Sequence, residues 1–266
     1  MSAAIRAEFR KFFTTRLWWG MAIAIFVSGI LFALLFGFLL TGEEATGGAG
    51  PGGIPTGTDE QIVGSVYTGG LGVGYLLTLT IGVLQIGSEY RHKTITATFL
   101  GVPKRAKVML AKVIALLGLG ALYGLISLAG SVITGAIVLN ARGFDPFPST
   151  EIVRTLALSL LVLGLWGLIG LGAGILIPNQ VAALLIAVGV AWIVEPLLGF
   201  ALTFWDWGAE NIAKFLPSSA TNAMINAVTS ENEVRLEWWG GALVLALYAA
   251  VLAGVGSWRT VRADIS

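Results

Sequence analysis

The chain has 266 residues, 56% hydrophobic and only 12% charged, with a mean hydropathy of +0.86. A soluble domain carries about 25% charged residues, and half that share cannot coat a water-facing globule of this size. The formal net charge of +1 provides no global field for nucleic acid, the lack of cysteine excludes disulfides and thiolate chemistry, and the single histidine, His92, excludes a His-rich zinc site.

The expectation is therefore an all-α integral membrane protein forming one domain over residues 1–266. Residues Ser2–Thr15 read as an amphipathic helix. Ile5, Phe9, Phe12 and Phe13 share one face, while Arg6, Arg10 and Lys11 occupy the other. Such a helix is expected to lie among lipid headgroups, with its phenylalanines in lipid and its cations toward phosphate.

Six apolar stretches follow, each near the roughly 20 residues that cross a bilayer. They are Leu17–Leu40, Val66–Gly87, Val108–Leu139, Val153–Ile177, Val181–Phe204 and Trp238–Ser257. The Gly- and Pro-rich Thr41–Gly57 reads as a loop, and Pro178-Asn179-Gln180 as a tight hairpin between the fourth and fifth spans. In residues 205–237 two short helices are expected, one at Glu210–Phe215 and one after Pro217, capped by Ser218 or Ser219 and running to Val228.

Charge sets the orientation. Twelve of the 16 basic residues fall before the first span, between the second and third, or after the sixth. The positive-inside rule then places both termini in the cytoplasm. The first span lacks a small-residue cleavage site and is expected to remain in the protein.

Two polar features stand out. Glu195-Pro196 lies inside the fifth span, about 22 Å from Gln180 at 1.5 Å per residue. A charge at a helix centre costs about 2.5–3.5 kcal/mol, and proline removes a helical donor. An outer gate and a structural kink are both open readings of this pair. The second feature is the segment 88–107, which concentrates charge at the membrane edge around a short apolar turn bounded by Gly101 and Pro103.

In that segment Glu89, Arg91, Thr94, Pro103, Arg105 and Lys112 resemble the motif of permeases of the ABC type-2 exporter family. The resemblance implies a half-transporter that pairs with a second permease copy, as a homodimer or heterodimer. It implies a coupling helix, built on Glu89, Arg91, Thr94, Ile95, Phe99, Leu100, Pro103 and Arg105, that seats in a separate ABC ATPase. ATP and Mg would bind on that partner, since this chain has no GxxxxGK[ST] loop and its Gly69–Gly74 and Gly118–Gly124 runs read as close helix packing. No catalysis is expected of the chain itself. Spans poor in polar groups point to hydrophobic or amphipathic cargo, exported across a bacterial inner membrane. The competing readings are an ion-coupled carrier or channel using Glu195, and a non-transport anchor or sensor subunit.

Overall fold

The computed structural model describes residues 1–42, 57–92, 105–228 and 234–262, and among these all regular structure is helical. The order is α1 Ser2–Phe13, α2 Leu17–Leu40, α3 Asp59–Thr68, α4 Leu71–Arg91, α5 Arg105–Ala141 and α6 Thr150–Leu176. There follow α7 Gln180–Gly189, a π turn Val190–Val194, α8 Glu195–Leu202, α9 Asp206–Asn211, a 3-10 turn Ala213–Phe215, α10 Pro217–Ile225 and α11 Trp238–Arg262. Six helices are long and apolar enough to cross a membrane: α2, α4, α5, α6, the continuous α7–α8 unit and α11.

Side-chain caps start three of these helices. Ser149 accepts the N–H of Glu151 at 3.2 Å to open α6. Asn179 accepts the N–H groups of Val181 and Ala182 at 3.0 and 3.1 Å to open α7, so the hairpin expected at residues 178–180 is a capped turn. Thr58 and Gln61 form a reciprocal capping box at the start of α3.

The second span departs from the expected Val66–Gly87. Helix begins earlier, at Asp59, and breaks at Gly69-Gly70 before α4 runs on to Arg91. Two adjacent glycines weaken the helix there, and packing uses them: a Cβ on Gly69 would enter the Phe36 ring, and one on Gly70 would lie 3.0 Å from the Gly29 Cα.

The fifth span also differs. Glu195-Pro196 does not interrupt it. The preceding turn widens instead, with the Glu195 N–H reaching the Val190 carbonyl five residues back. This π turn accommodates the proline ring without ending the span.

Helix α6 is the centre of the bundle. It packs on α4, α5, α10 and α11, and 61% of its most apolar window is buried, against 22% for α7–α8 and for α11. The α4–α6 crossing is the closest, because a Cβ on Gly82 would strike the Gly167 carbonyl and one on Gly170 the Leu79 carbonyl. Close packing is likewise the role of the Gly118–Gly124 run, which faces Phe9, Gly164 and Leu160. Outside, large apolar side chains such as Leu31, Phe38, Leu185, Trp192, Phe200 and Leu247 are exposed on α2, α7–α8 and α11. A surface so apolar belongs to a multi-pass membrane protein and needs lipid or protein cover.

Candidate functional site

One end of the bundle carries α1, the C-terminal end of α4 and the start of α5; we call it the basic end. Here α1 folds onto the protein. Phe9 lies against Gly118, where a Cβ would stand 2.8 Å from the ring, and Phe12 meets Tyr123 edge-on with centroids 6.0 Å apart. Tyr123 in turn donates to the Trp18 carbonyl at 2.8 Å, tying α5 to the start of α2. Phe9 and Phe12, expected in lipid, thus cover α5, because the glycine at 118 leaves a slot that fits an aromatic ring, while Phe13 stays exposed. Arg6 and Arg10 remain exposed, and Ile5 is partly covered.

The polar edge of α1 turns inward with it. Glu8, 3% exposed, receives Lys112 on Oε2 at 2.8 Å and Lys11 on Oε1 at 2.9 Å. Glu89, 4% exposed, receives both ammonium groups on Oε1, Lys11 at 2.6 Å and Lys112 at 2.7 Å. Gln85 adds a donor to Glu8 Oε2 at 3.2 Å. Two carboxylates and two ammonium groups therefore alternate in one cluster drawn from three helices, with Glu8, Glu89 and Lys112 buried and Lys11 at its exposed edge. Lys11, expected to face phosphate with Arg6 and Arg10, belongs instead to this cluster.

Charge balance makes such burial tolerable, since Glu8, Glu89 and Lys112 lose water but each gains two opposite partners, and Lys11 keeps part of its exposure to solvent. Burial alone pushes the Glu8 carboxyl up; Lys112 and Lys11 outweigh it through charge and hydrogen bonds, and hold it below its ordinary 4.5. Burial alone pulls Lys11 down; its bonds to Glu89 and Glu8 outweigh that, and it stands above 10.5. Glu89 Oε2 and Gln85 Oε1 are buried acceptors with no partner among the described residues.

Of the residues expected to couple to an ATPase, Glu89 lies in this cluster, Arg91 is exposed on the last turn of α4, and Arg105 begins α5. Thr94, Ile95, Phe99, Leu100 and Pro103 lie outside the described residues. Glu8 is the member that sequence reasoning passed over. A usable signal was present: it is the lone acid in the first 42 residues, placed on an otherwise basic helix.

The opposite, acidic end is organised by Glu195. Its side chain is 5% exposed, and Oε1 accepts the backbone N–H of Ser218. Ser218 is the second residue of α10, whose N-cap position holds Leu216, a residue with no side-chain acceptor. Glu195 supplies that acceptor from another helix, so neither Ser218 nor Ser219 caps α10 as expected. Helix α10 ends at Ile225, short of Val228, on Asn226 in the left-handed conformation at φ 49°. It is held from below by Trp166, whose Nε1 donates to Thr221 Oγ1 at 2.9 Å, and it buries Ala220, Met224 and Ile225. The other short helix expected here, Glu210–Phe215, is α9 beginning at Asp206 plus the 3-10 turn.

Among the described residues no three acidic or histidine side chains converge as a metal site. Comparison of the chain with protein-family models, curated proteins and solved structures finds no match.

Proposed function

We propose that the chain is the transmembrane permease subunit of an ATP-driven exporter of the ABC type-2 kind. It moves hydrophobic or amphipathic substrates (drug, antimicrobial peptide or lipid) out of a bacterial cell, with both termini in the cytoplasm. ATP and Mg bind to a separate ABC ATPase, and a second permease copy completes the pathway.

One observation carries this reading: Glu89 and Lys112, which bracket the segment that the family resemblance assigns to coupling, are joined at 2.7 Å in the buried cluster. A push on residues 93–104 enters α4 at one end and α5 at the other. Because Glu8 and Lys11 share the same cluster, the push also reaches α1. Transmission through ion pairs and packed helices asks for this kind of rigid joint. The carrier reading draws less support, since Glu195 Oε1 is already engaged in holding α10.

The test is retention of the ATPase. In an interface of this kind the buried apolar anchor carries most of the affinity and rim charges carry register. Phe99→Ala should cost about 2 kcal/mol or more of ATPase binding, and Lys107→Ala much less. Correctly inserted Phe99→Ala and Arg91→Ala variants that still co-purify with the ATPase and export at full rate would defeat the proposal. Loss that tracks only the number of cations removed, with Phe99 silent, would point to lipid binding instead.

A further inference from the structure

The acidic end contains a cavity of about 580 Å³ that the coupling argument does not use. It lies between the last turn of α2, the α3–α4 junction and α10, and it opens where Leu39 and Gly72 are exposed. Phe36, Leu40, Leu71 and Ile225 provide apolar walls. Tyr75, Ser65 and Asn222 provide polar points. Its volume falls within the range of about 300–1,000 Å³ that accommodates drug-sized ligands.

The polar side is built in advance. The Tyr75 ring stacks on Trp166 with centroids 4.3 Å apart, and Trp166 is fixed through its hydrogen bond to Thr221. Thr221 spends its own proton on the Pro217 carbonyl at 2.9 Å, so its hydroxyl is committed. Ser65 accepts the Val228 N–H at 3.0 Å and keeps its O–H to donate. The Tyr75 hydroxyl and the Asn222 amide donate to no described residue. Tyr75, Ser65 and Asn222 thus add hydrogen-bonding groups to a mainly apolar lining that also includes Thr68, Thr221 and Ser218, and the first two are held in place by their own contacts.

Charge narrows the ligand. None of the described residues lining the cavity is acidic, basic or histidine. Glu195 does not itself line the cavity; it stands behind the lining residue Ser218, whose N–H its Oε1 accepts. An anion would lose its water here without a counter-ion, and a cation would meet only a carboxylate already engaged behind Ser218, costs that an uncharged ligand escapes.

We infer that this cavity is a binding site for an uncharged amphipathic molecule of drug or sterol size, apolar over most of its surface and polar along one edge. Tyr75, Asn222 and Ser65 bond the polar edge, and the walls from α2 and α10 cover the rest. Its use as a station for exported cargo rests on the exporter reading; the binding itself does not.

The protein in lipid nanodiscs, without ATPase or nucleotide, is photolabelled with promegestone, an uncharged steroid that crosslinks through its own dienone. Labelled peptides are then mapped by mass spectrometry. A Cβ on the lining residue Gly72 meets no atom within 4 Å, so Gly72→Trp adds bulk at the cavity without a clash at its Cβ, and Gly189→Trp adds the same bulk at another open position in α7. The expected result is saturable labelling near Tyr75 or Asn222 that falls about tenfold or more in Gly72→Trp and persists in Gly189→Trp. The paired change Tyr75→Phe with Asn222→Ala, which removes two polar groups and adds no bulk, should also weaken labelling. Non-saturable labelling spread over the lipid-facing helices would overturn the site, as would wild-type labelling of folded Gly72→Trp. Equal competition by tetraphenylphosphonium would overturn the uncharged class. Failed labelling beside intact ATPase coupling counts against the cavity alone, and intact labelling without an ATPase partner counts against the exporter reading alone.

Discussion

The ammonium of Lys112 lies 2.8 Å from Glu8 Oε2, across 104 positions of sequence. That contact joins the N-terminal helix to the foot of the third span. With the neighbouring bond from Lys112 to Glu89 it makes the basic end one mechanical unit. Lys112 is 1% exposed, so its charge has no recourse to water.

Removing that charge should therefore be severe. Lys112→Met leaves Glu8 and Glu89 sharing only Lys11, and breaking a buried ionic group in this way costs roughly 3–5 kcal/mol. The double change Lys112→Met with Glu8→Gln removes one cation and one anion together and should recover much of the loss. Unfolding of the purified protein in detergent reads both values. A double-variant loss equal to the sum of the losses of Lys112→Met and Glu8→Gln measured singly would mean that the two groups are not coupled.

The cluster also sets a pH window for the attachment of α1. Glu8 has a lowered value when folded, so its contribution is present above 4.5 and lost as pH falls through the lowered value. Lys11 has a raised value when folded, so its contribution is present below 10.5 and lost as pH rises through the raised value. Hydrogen exchange of the α1 amides should show steady protection between these limits and faster exchange beyond each. A helix held by lipid alone would show no dependence on Glu8→Gln at any pH.

At the other end, Glu195→Ala should loosen α10. It removes a cap acceptor, a loss of about 1 kcal/mol and up to about 2. Glu195→Gln keeps an oxygen for the Ser218 N–H and should retain most of the stability. Exchange of the amides of residues 218–221 is the direct measurement. If Glu195→Ala leaves that exchange unchanged while abolishing export, the carboxylate acts as a gate and not as a cap.

Helix spacing gives a further test. Gly82→Ala drives a methyl into the Gly167 carbonyl and should cost about 1–3 kcal/mol through overpacking. Gly254→Ala, with nothing within 4 Å of its Cβ, should be neutral or stabilising by up to about 1 kcal/mol from helix propensity. Paired unfolding measurements in one detergent separate the two effects.

The orientation inferred from charge is tested by labelling, because the chain has no cysteine of its own. Asp59→Cys and His92→Cys are both at exposed positions, at opposite ends of the α3–α4 pair. An impermeant thiol reagent should modify the first in intact cells and the second only after the cells are opened. The reverse pattern would invert the proposed direction of transport.

The number of spans was legible in the sequence because it depends on a local quantity, the length of an apolar run against the thickness of hydrocarbon. The turn at residues 178–180 was legible for the same reason, since proline and a capping asparagine act within a few residues. Partners were not. An amphipathic pattern says which face of α1 is apolar, but lipid tails and a slot at Gly118 satisfy that face equally well, so only the packed structure decided that Phe9 covers α5. The same limit applied to Glu195, where a carboxylate beside proline reads equally as gate or kink until α10 comes into contact. Its acceptor and the Ser218 donor are 23 residues apart, and nothing in either local sequence points to the other. Glu8 followed the same rule over a longer distance: hydrophobicity places a helix at a membrane, but which buried charges meet is decided by packing between helices.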